Sequence, residues 1–271
     1  MKLWKNTKTL DGLIDDISQT DLKKNAELAL MGSKTIHLDE FPNLKGIFRV
    51  GVSQSNVPIV EAQKRNIAVS FPTEKTKNHI YEETADFTCG LILKSNYNNV
   101  GTLDPWVKNN RTALSEKTLL IIGEGRIGAM VKEKMSSFMK VLSYDLYKYP
   151  DIKLAPLLPL ADFVTIHIAD KEDNIGFMEK SKLALMKDGA TLINTARGRI
   201  VDENALYNEI KNKRLYAAFD VYWEEPYSGK LREFYPERFS MTPHVASTCK
   251  EFLTGSTKDL KQFIKQIEED S

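Results

Sequence analysis

The sequence predicts an α/β fold, a doubly wound parallel sheet inserted in a smaller α/β unit. Three observations predict it. Short apolar runs alternate with helix-like segments through the middle of the chain, which implies parallel strands with both sheet faces covered. One run, Leu119 to Ile122, leads straight into Gly123-x-Gly125-x-x-Gly128. Near the C-terminus Leu260, Phe263, Ile264 and Ile267 recur at helical spacing, a stripe suited to docking a terminal helix on a core.

The elements follow in order. In the first 80 residues, 27–36, 44–52 and 67–71 read as strands, and 10–24 and 57–65 as helices. Segment 94–117 is polar and turn-rich, with Gly101 and Pro105, and reads as a connection or arm. Strands follow at 118–122, 140–144, 162–168, 190–194, 216–221 and about 239–242, with helices at 126–138, 177–186 and 203–213. Asp202 or Asn204 is placed to cap the last of these. Residues 249–271 form the terminal helix, expected to pack back on the N-terminal unit. The expected domains are therefore 1–82 with 248–271, discontinuous in sequence, and 83–247.

Composition narrows the class. The 271 residues allow a substantial core, and 38 basic against 37 acidic side chains leave a net charge of +1. No basic block points to nucleic acid or an anionic membrane. Cys89 and Cys249 are too few for a disulfide framework or a thiolate metal cluster, and no His/Asp/Glu pair has ligand spacing on a helix face, so no metal is expected. The N-terminus lacks a secretory pattern, and no apolar run has the length of a membrane span, so a cytoplasmic location is expected.

The glycine-rich segment carries the most information. Gly123 permits a tight strand-to-helix turn, Gly125 a close approach of backbone to a pyrophosphate, and Gly128 close packing of helix on strand. The helix N-terminus then presents free N–H groups and a positive dipole end to phosphate. A second apolar strand ends in Asp145, 17 residues past the last glycine (145 − 128), where a carboxylate binds ribose hydroxyls. That acid repels a 2′-phosphate and favours NAD over NADP. Lys148 reads either as a charge softening the preference or as an exposed loop lysine.

Three further segments lie just past apolar strands, at the edge where a parallel sheet binds ligands: Asn194-Thr-Ala-Arg197-Gly198, Asp220-Val-Tyr-Trp-Glu224-Glu225-Pro226 and Thr242-Pro243-His244. Together they offer a fixed cation, carboxylates and an imidazole. That set suffices to take a proton from a hydroxyl beside a carboxylate while hydride leaves for nicotinamide. Taken singly, Arg197 also reads as a loop anchor, the two glutamates as solvated charges and His244 as a structural histidine. His167 closes another strand at the same edge, where it would contact cofactor.

The order LKGIFRVGVSQSNV (44–57), IIGEGRIG (121–128), NTARGRIVDENAL (194–206), DVYWEEP (220–226) and TPHVAS (242–247) resembles the D-isomer-specific 2-hydroxyacid dehydrogenase family. The resemblance implies a Rossmann domain inserted in a flavodoxin-like substrate domain, NAD as cofactor, and a small 2-hydroxy or 2-keto acid as substrate. It implies that Arg197 binds the substrate carboxylate, His244 is the acid/base, and Glu225 orients it. Asp220 would meet the nicotinamide carboxamide, and Val50 and Gly51 would offer backbone N–H groups to the substrate carboxylate. Arg126, Ile127, Thr195, Ala196 and Ser247 complete the cofactor set within the same motifs. The interdomain cleft would close around the reaction, and the 94–117 arm would help build a homodimer.

Departures bear on the substrate. Ser53 and Ser55 stand where the family has a second glycine and an aspartate, residues 83–90 replace the usual Ser-Val-Ala-Glu helix start, and the arm is short. Arg49, if it points inward, suits an anionic substrate of the phosphoglycerate type. Tyr222 and Trp223, if they narrow the pocket, suit glyoxylate or hydroxypyruvate. An NAD(H)-sensing regulatory protein on the same fold is the alternative function.

Overall fold

A computed structural model describes residues 1–270, in two compact units: 1–80 with 248–270, and 81–247.

Unit 1 is built on four parallel strands in sequence order: β1 (Leu3–Lys5), β2 (Leu28–Met31), β3 (Gly46–Arg49) and β4 (Ala68–Ser70). The inner strands β2 and β3 are buried at every position, which is why they read as unbroken apolar runs rather than alternating ones. One face packs Leu3, Leu10 and Phe48 against Phe252, Leu260, Phe263 and Ile267 of the terminal helix Lys250–Glu269. The approach is close at Gly46, where a Cβ would stand 2.4 Å from Ile267 Cδ1 and 2.8 Å from Leu28 Cδ1. The other face packs Ile47 with Phe41 and with Ala62 of the helix Ile59–Lys64.

The helix expected over 10–24 does not form. Leu10 and Ile14 are buried at the expected spacing, but Gly12 sits at φ +79° and breaks the segment into isolated turns, Leu13 to Leu10 and Ile17 to Ile14. Only a 3-10 turn, Lys23–Asn25, follows.

After the helix Glu74–Asn96, unit 2 carries a small antiparallel hairpin, β5 (Gly101–Thr102) and β6 (Val107–Lys108), within the segment read as an arm. Six parallel strands follow: β7 (Thr118–Ile122), β8 (Lys140–Tyr144), β9 (Phe163–Ile166), β10 (Thr191–Asn194), β11 (Tyr216–Phe219) and β12 (Phe239–Met241). Their spatial order is β12-β11-β10-β9-β7-β8, so β7 pairs with both β8 and β9 and the winding reverses beside it. A doubly wound sheet binds ligands at that reversal, outside the carboxyl ends of the strands. Helices Arg126–Met135, Lys180–Leu185 and Glu203–Lys211 connect the strands. Asp202 is the cap of the last of these, its carboxylate accepting the Ala205 N–H at 3.0 Å.

Strand β1 has no counterpart in the sequence reading, and the helix Glu74–Asn96 has one only through the resemblance, which puts a helix start at 83–90. The helix hides its pattern because part of its buried face is threonine. Thr84 and Thr88 are buried, and Thr88 satisfies its hydroxyl on the Thr84 carbonyl at 2.7 Å, so no clean apolar stripe marks the segment.

Candidate functional site

Most of the sequence-selected residues of unit 2 follow a strand within three residues, at the carboxyl edge; Glu225 lies six residues past β11. Gly123 ends β7, Asp145 β8, His167 β9, Thr195, Ala196 and Arg197 β10, Asp220 β11, and Thr242 to His244 β12.

The glycine loop fits a dinucleotide. Gly123 has φ +92°, and a Cβ there would meet the His167 backbone at 2.8 Å. At Gly128 a Cβ would meet the Gly123 carbonyl oxygen at 2.0 Å, so the helix can pack this tightly only on glycine. Gly125 has open space above it, the room a pyrophosphate needs. Arg126 is exposed at the helix start and donates to the Tyr81 hydroxyl at 2.8 Å; Ile127 beside it is half-buried. The Asp145 carboxylate takes three backbone N–H groups, from Glu124 at 2.8 Å, Tyr147 at 2.9 Å and Lys148 at 3.0 Å. Burial alone would raise its pKa, but these bonds hold it below the usual carboxylate value, so it stays an acceptor.

His167 lies just past β9, its Nε2 3.0 Å from the Thr165 hydroxyl. Burial pushes its pKa from 6.5 down to about 4, so the ring is neutral at pH 7. The unfolded chain takes that proton more readily, so the contribution of His167 to stability is full above pH 6.5 and is lost as pH falls toward 4. Urea unfolding at pH 7 and pH 5 is expected to show a pH-dependent loss that His167→Gln reduces; an equal loss in the variant would refute it.

Arg197 is held by its own loop. Buried Asn194 donates to the Arg197 carbonyl at 2.8 Å and accepts the Ala196 N–H at 2.9 Å. The guanidinium donates to the Ala196 carbonyl at 2.6 Å and lies 3.7 Å from Asp170, a carboxylate shared with Arg199 at 2.6 Å. Gly198 is required here, since a Cβ would fall 2.0 Å from the Tyr222 carbonyl carbon. Thr195 is buried with its hydroxyl 2.9 Å from that of Thr88.

His244 and Glu225, 19 residues apart in sequence, meet at 2.7 Å between Nδ1 and Oε2. The other Glu225 oxygen accepts the Tyr222 N–H at 3.2 Å. His244 adopts φ +53°, a strained conformation for a side chain of this size, and Asp220 holds the turn that imposes it. Asp220 is fully buried; it accepts the Thr242 hydroxyl at 2.6 Å and the N–H groups of Val245 and Ala246, both at 2.9 Å. Both of its oxygens are thus committed within the protein. The pair opens on a cavity of about 670 Å³ lined by Tyr222, Pro226, Tyr235, Thr242 and His244 among others. Trp223 does not line it: its indole donates to the Val201 carbonyl at 2.7 Å and stacks on Phe219. Ser247 is half-buried at the end of the unit, and Glu224 pairs with the Ser228 hydroxyl at 2.7 Å.

In unit 1, Val50 is buried and Gly51 has φ +131°. Arg49 points inward: its guanidinium donates to the Asn56 side chain at 3.2 Å and to the Val50 carbonyl, and a Cβ on Gly51 would strike it. Ser53 and Ser55 join hydroxyls at 2.9 Å on the exposed side of the loop.

Two residues bear on this edge that the sequence reading passed over, Glu124 and Asp170, and a third, Asn194, was named there without a role of its own. Asn194 was visible within its motif, and Glu124 as a charge inside a glycine loop that follows an apolar strand. Asp170 gave no signal, because its role depends on two arginines of another loop.

A glycine cradle at the reversal of a doubly wound sheet, with an imidazole–carboxylate pair at the same edge, defines a dinucleotide-dependent oxidoreductase. Residues 98–246 match the family described as D-isomer specific 2-hydroxyacid dehydrogenase, NAD binding domain. The chain is 33% identical over 255 residues to the glyoxylate reductase of Thermofilum pendens, spanning 84% of this chain and 74% of that one. It is 34% identical over 229 residues to the D-3-phosphoglycerate dehydrogenase of Archaeoglobus fulgidus, spanning 77% and 42%. The crystal structure of D-lactate dehydrogenase from Aquifex aeolicus, complexed with NAD and lactic acid, shares the fold at TM-score 0.80 and 24% identity, covering 99% of this chain and 97% of that one. The chain belongs to the D-isomer-specific 2-hydroxyacid dehydrogenase family. It is an NAD-dependent oxidoreductase of that class, and NAD is its cofactor.

Proposed function

We propose that the protein reduces a small 2-keto acid of the glyoxylate or hydroxypyruvate type to the D-2-hydroxy acid, with His244 as the acid/base. The contact between His244 Nδ1 and Glu225 Oε2 at 2.7 Å carries this reading, because it fixes the imidazole and leaves Nε2 for the substrate oxygen. When bound, the nicotinamide supplies the hydride. His244 delivers a proton from Nε2 to the carbonyl oxygen, and in the reverse direction receives it. Glu225 orients the ring through Nδ1 and balances its positive charge. Arg197 binds the substrate carboxylate and polarises the neighbouring carbonyl, and the Gly51 backbone N–H is a further candidate donor; the Val50 N–H, expected to share that role, is spent on the Met31 carbonyl at 2.9 Å.

Of the cofactor residues, Gly123, Gly125, Arg126, Ile127 and Gly128 would cradle the pyrophosphate and Asp145 would take the ribose. His167, Thr195, Ala196, Asp220 and Ser247 would line the path to the nicotinamide. The two oxygens of Asp220 already serve the His244 turn, so we assign it to positioning as well. Arg49 points inward, the orientation expected to suit an anionic substrate, but its guanidinium braces its own loop through Asn56 and Val50, which supports a small substrate instead. The names of the similar glyoxylate reductases lean the same way.

The test is loss of NADH absorbance with glyoxylate, hydroxypyruvate, phosphohydroxypyruvate, pyruvate and 2-oxoglutarate. Turnover led by one of the first two supports the reading; turnover led by phosphohydroxypyruvate overturns it. Arg197→Lys removes the planar two-pronged donor and is expected to lower kcat/KM by about 100-fold, mostly through KM. An unchanged KM would refute its role.

We also propose a homodimer, supported by exposed Leu103 and Trp106 at the hairpin tip. The mass in solution by light scattering is expected to be twice that of the chain, and Trp106→Ser to reduce it.

A further inference from the structure

We propose that Glu124 sets the preference for NAD over NADP by holding Lys148 away from the adenosine ribose. The proposal rests on the reading of Asp145 as the acid that takes that ribose.

Glu124 lies between the first two glycines of the cradle and is only 7% exposed. Its N–H donates to Asp145 Oδ2 at 2.8 Å, so the two acids are joined at the ends of β7 and β8. Its carboxylate binds Lys148 Nζ at 3.1 Å and Lys132 Nζ at 2.8 Å, and accepts the Tyr149 hydroxyl at 3.2 Å. Burial alone would raise its pKa, but the bonds from Lys132 and Lys148 bring it down to about 2, so it carries its charge at any working pH.

The geometry matters because Lys148 is the cation that this loop offers to a 2′-phosphate. Its backbone N–H is bonded to Asp145 Oδ1, which places the root of the side chain beside the ribose acid. A phosphate on the ribose 2′-oxygen would have to recruit that ammonium, since Asp145 repels it. In this fold the ammonium is already committed to Glu124, and Lys132 to the same carboxylate. Asp145 therefore excludes the phosphate by repulsion, and Glu124 by withholding the compensating charge. NAD carries no 2′-phosphate and is indifferent to where Lys148 points.

The experiment measures dissociation constants of NADH and NADPH by energy transfer from protein tryptophan to the nicotinamide, for the wild type, Glu124→Gln and Glu124→Gln with Lys148→Met. Gln keeps the side-chain size and a hydrogen-bonding oxygen, and circular dichroism and thermal melting check the fold. The released lysine is expected to tighten NADPH by about fivefold relative to NADH, the range of a partly exposed ion pair. The double variant is expected to lose that gain. An unchanged NADPH-to-NADH ratio in Glu124→Gln overturns the proposal, as does a gain that survives Lys148→Met. Asp145→Ala tests the underlying reading separately: unchanged NADH affinity there would remove the ribose assignment, whereas weakened NADH binding with a silent Glu124→Gln would sink the Glu124 proposal alone.

Discussion

His244→Gln is expected to lower kcat by about 10³-fold while leaving the dissociation constant of NADH within about twofold. The amide of glutamine fills the space of the imidazole and can still meet Glu225, but it cannot deliver a proton to a substrate oxygen. His244 also holds a left-handed backbone at φ +53°, which glutamine adopts at a cost. His244→Asn removes that ambiguity, because asparagine tolerates the conformation and also lacks an acid. Equal losses in both variants would tie the effect to proton transfer. Retained turnover in either, or loss of NADH binding in both, would refute the assignment. An inactive wild type that binds NADH tightly would instead favour a sensor on this fold.

Asp220→Ala is expected to damage both stability and rate. The substitution strips acceptors from the Thr242 hydroxyl and from the N–H groups of Val245 and Ala246 in a fully buried setting. Leaving such donors unpaired costs about 3 kcal/mol, or a fall of roughly 6–10 °C in Tm for a chain of this size. The turn that sets the His244 backbone would loosen at the same time, so kcat should fall even below the new Tm. A variant with native Tm and kcat would show that these bonds hold nothing that matters. A loss of NADH affinity with native Tm and kcat would place Asp220 at the cofactor rather than under the turn.

The strands of the larger unit were legible because buried parallel strands are apolar at consecutive positions: β7 is Thr-Leu-Leu-Ile-Ile, and β9 is Phe-Val-Thr-Ile. Their ends were less so. Sequence carried strands to residues 168 and 221, whereas pairing stops at Ile166 and Phe219, where the backbone turns toward the ligand edge. Periodicity misled at 10–24, where apolar spacing serves a series of turns around Gly12. It was silent at Glu74–Asn96, where buried threonines replace the apolar stripe. At the candidate site, residue types and their places after strands were readable, but hydrogen-bond commitments were not. That Asp220 faces its own turn, that Arg49 braces its own loop and that Glu124 gathers two lysines depend on side-chain directions that only the folded chain fixes.

The helix Lys250–Glu269 lies against β3, yet the whole of the larger unit is encoded between them. On a ribosome the consequence is an order of events. The larger unit emerges entire and can close its core while Phe48 and Gly46 still wait, uncovered, for Phe263 and Ile267. The smaller unit is thus the last to mature, and its apolar sheet face is the surface most in need of a chaperone during synthesis. Pulse proteolysis of ribosome-bound chains should find residues 81–247 protected before residues 1–80; the reverse order would show that β1 to β4 hold together without their terminal helix.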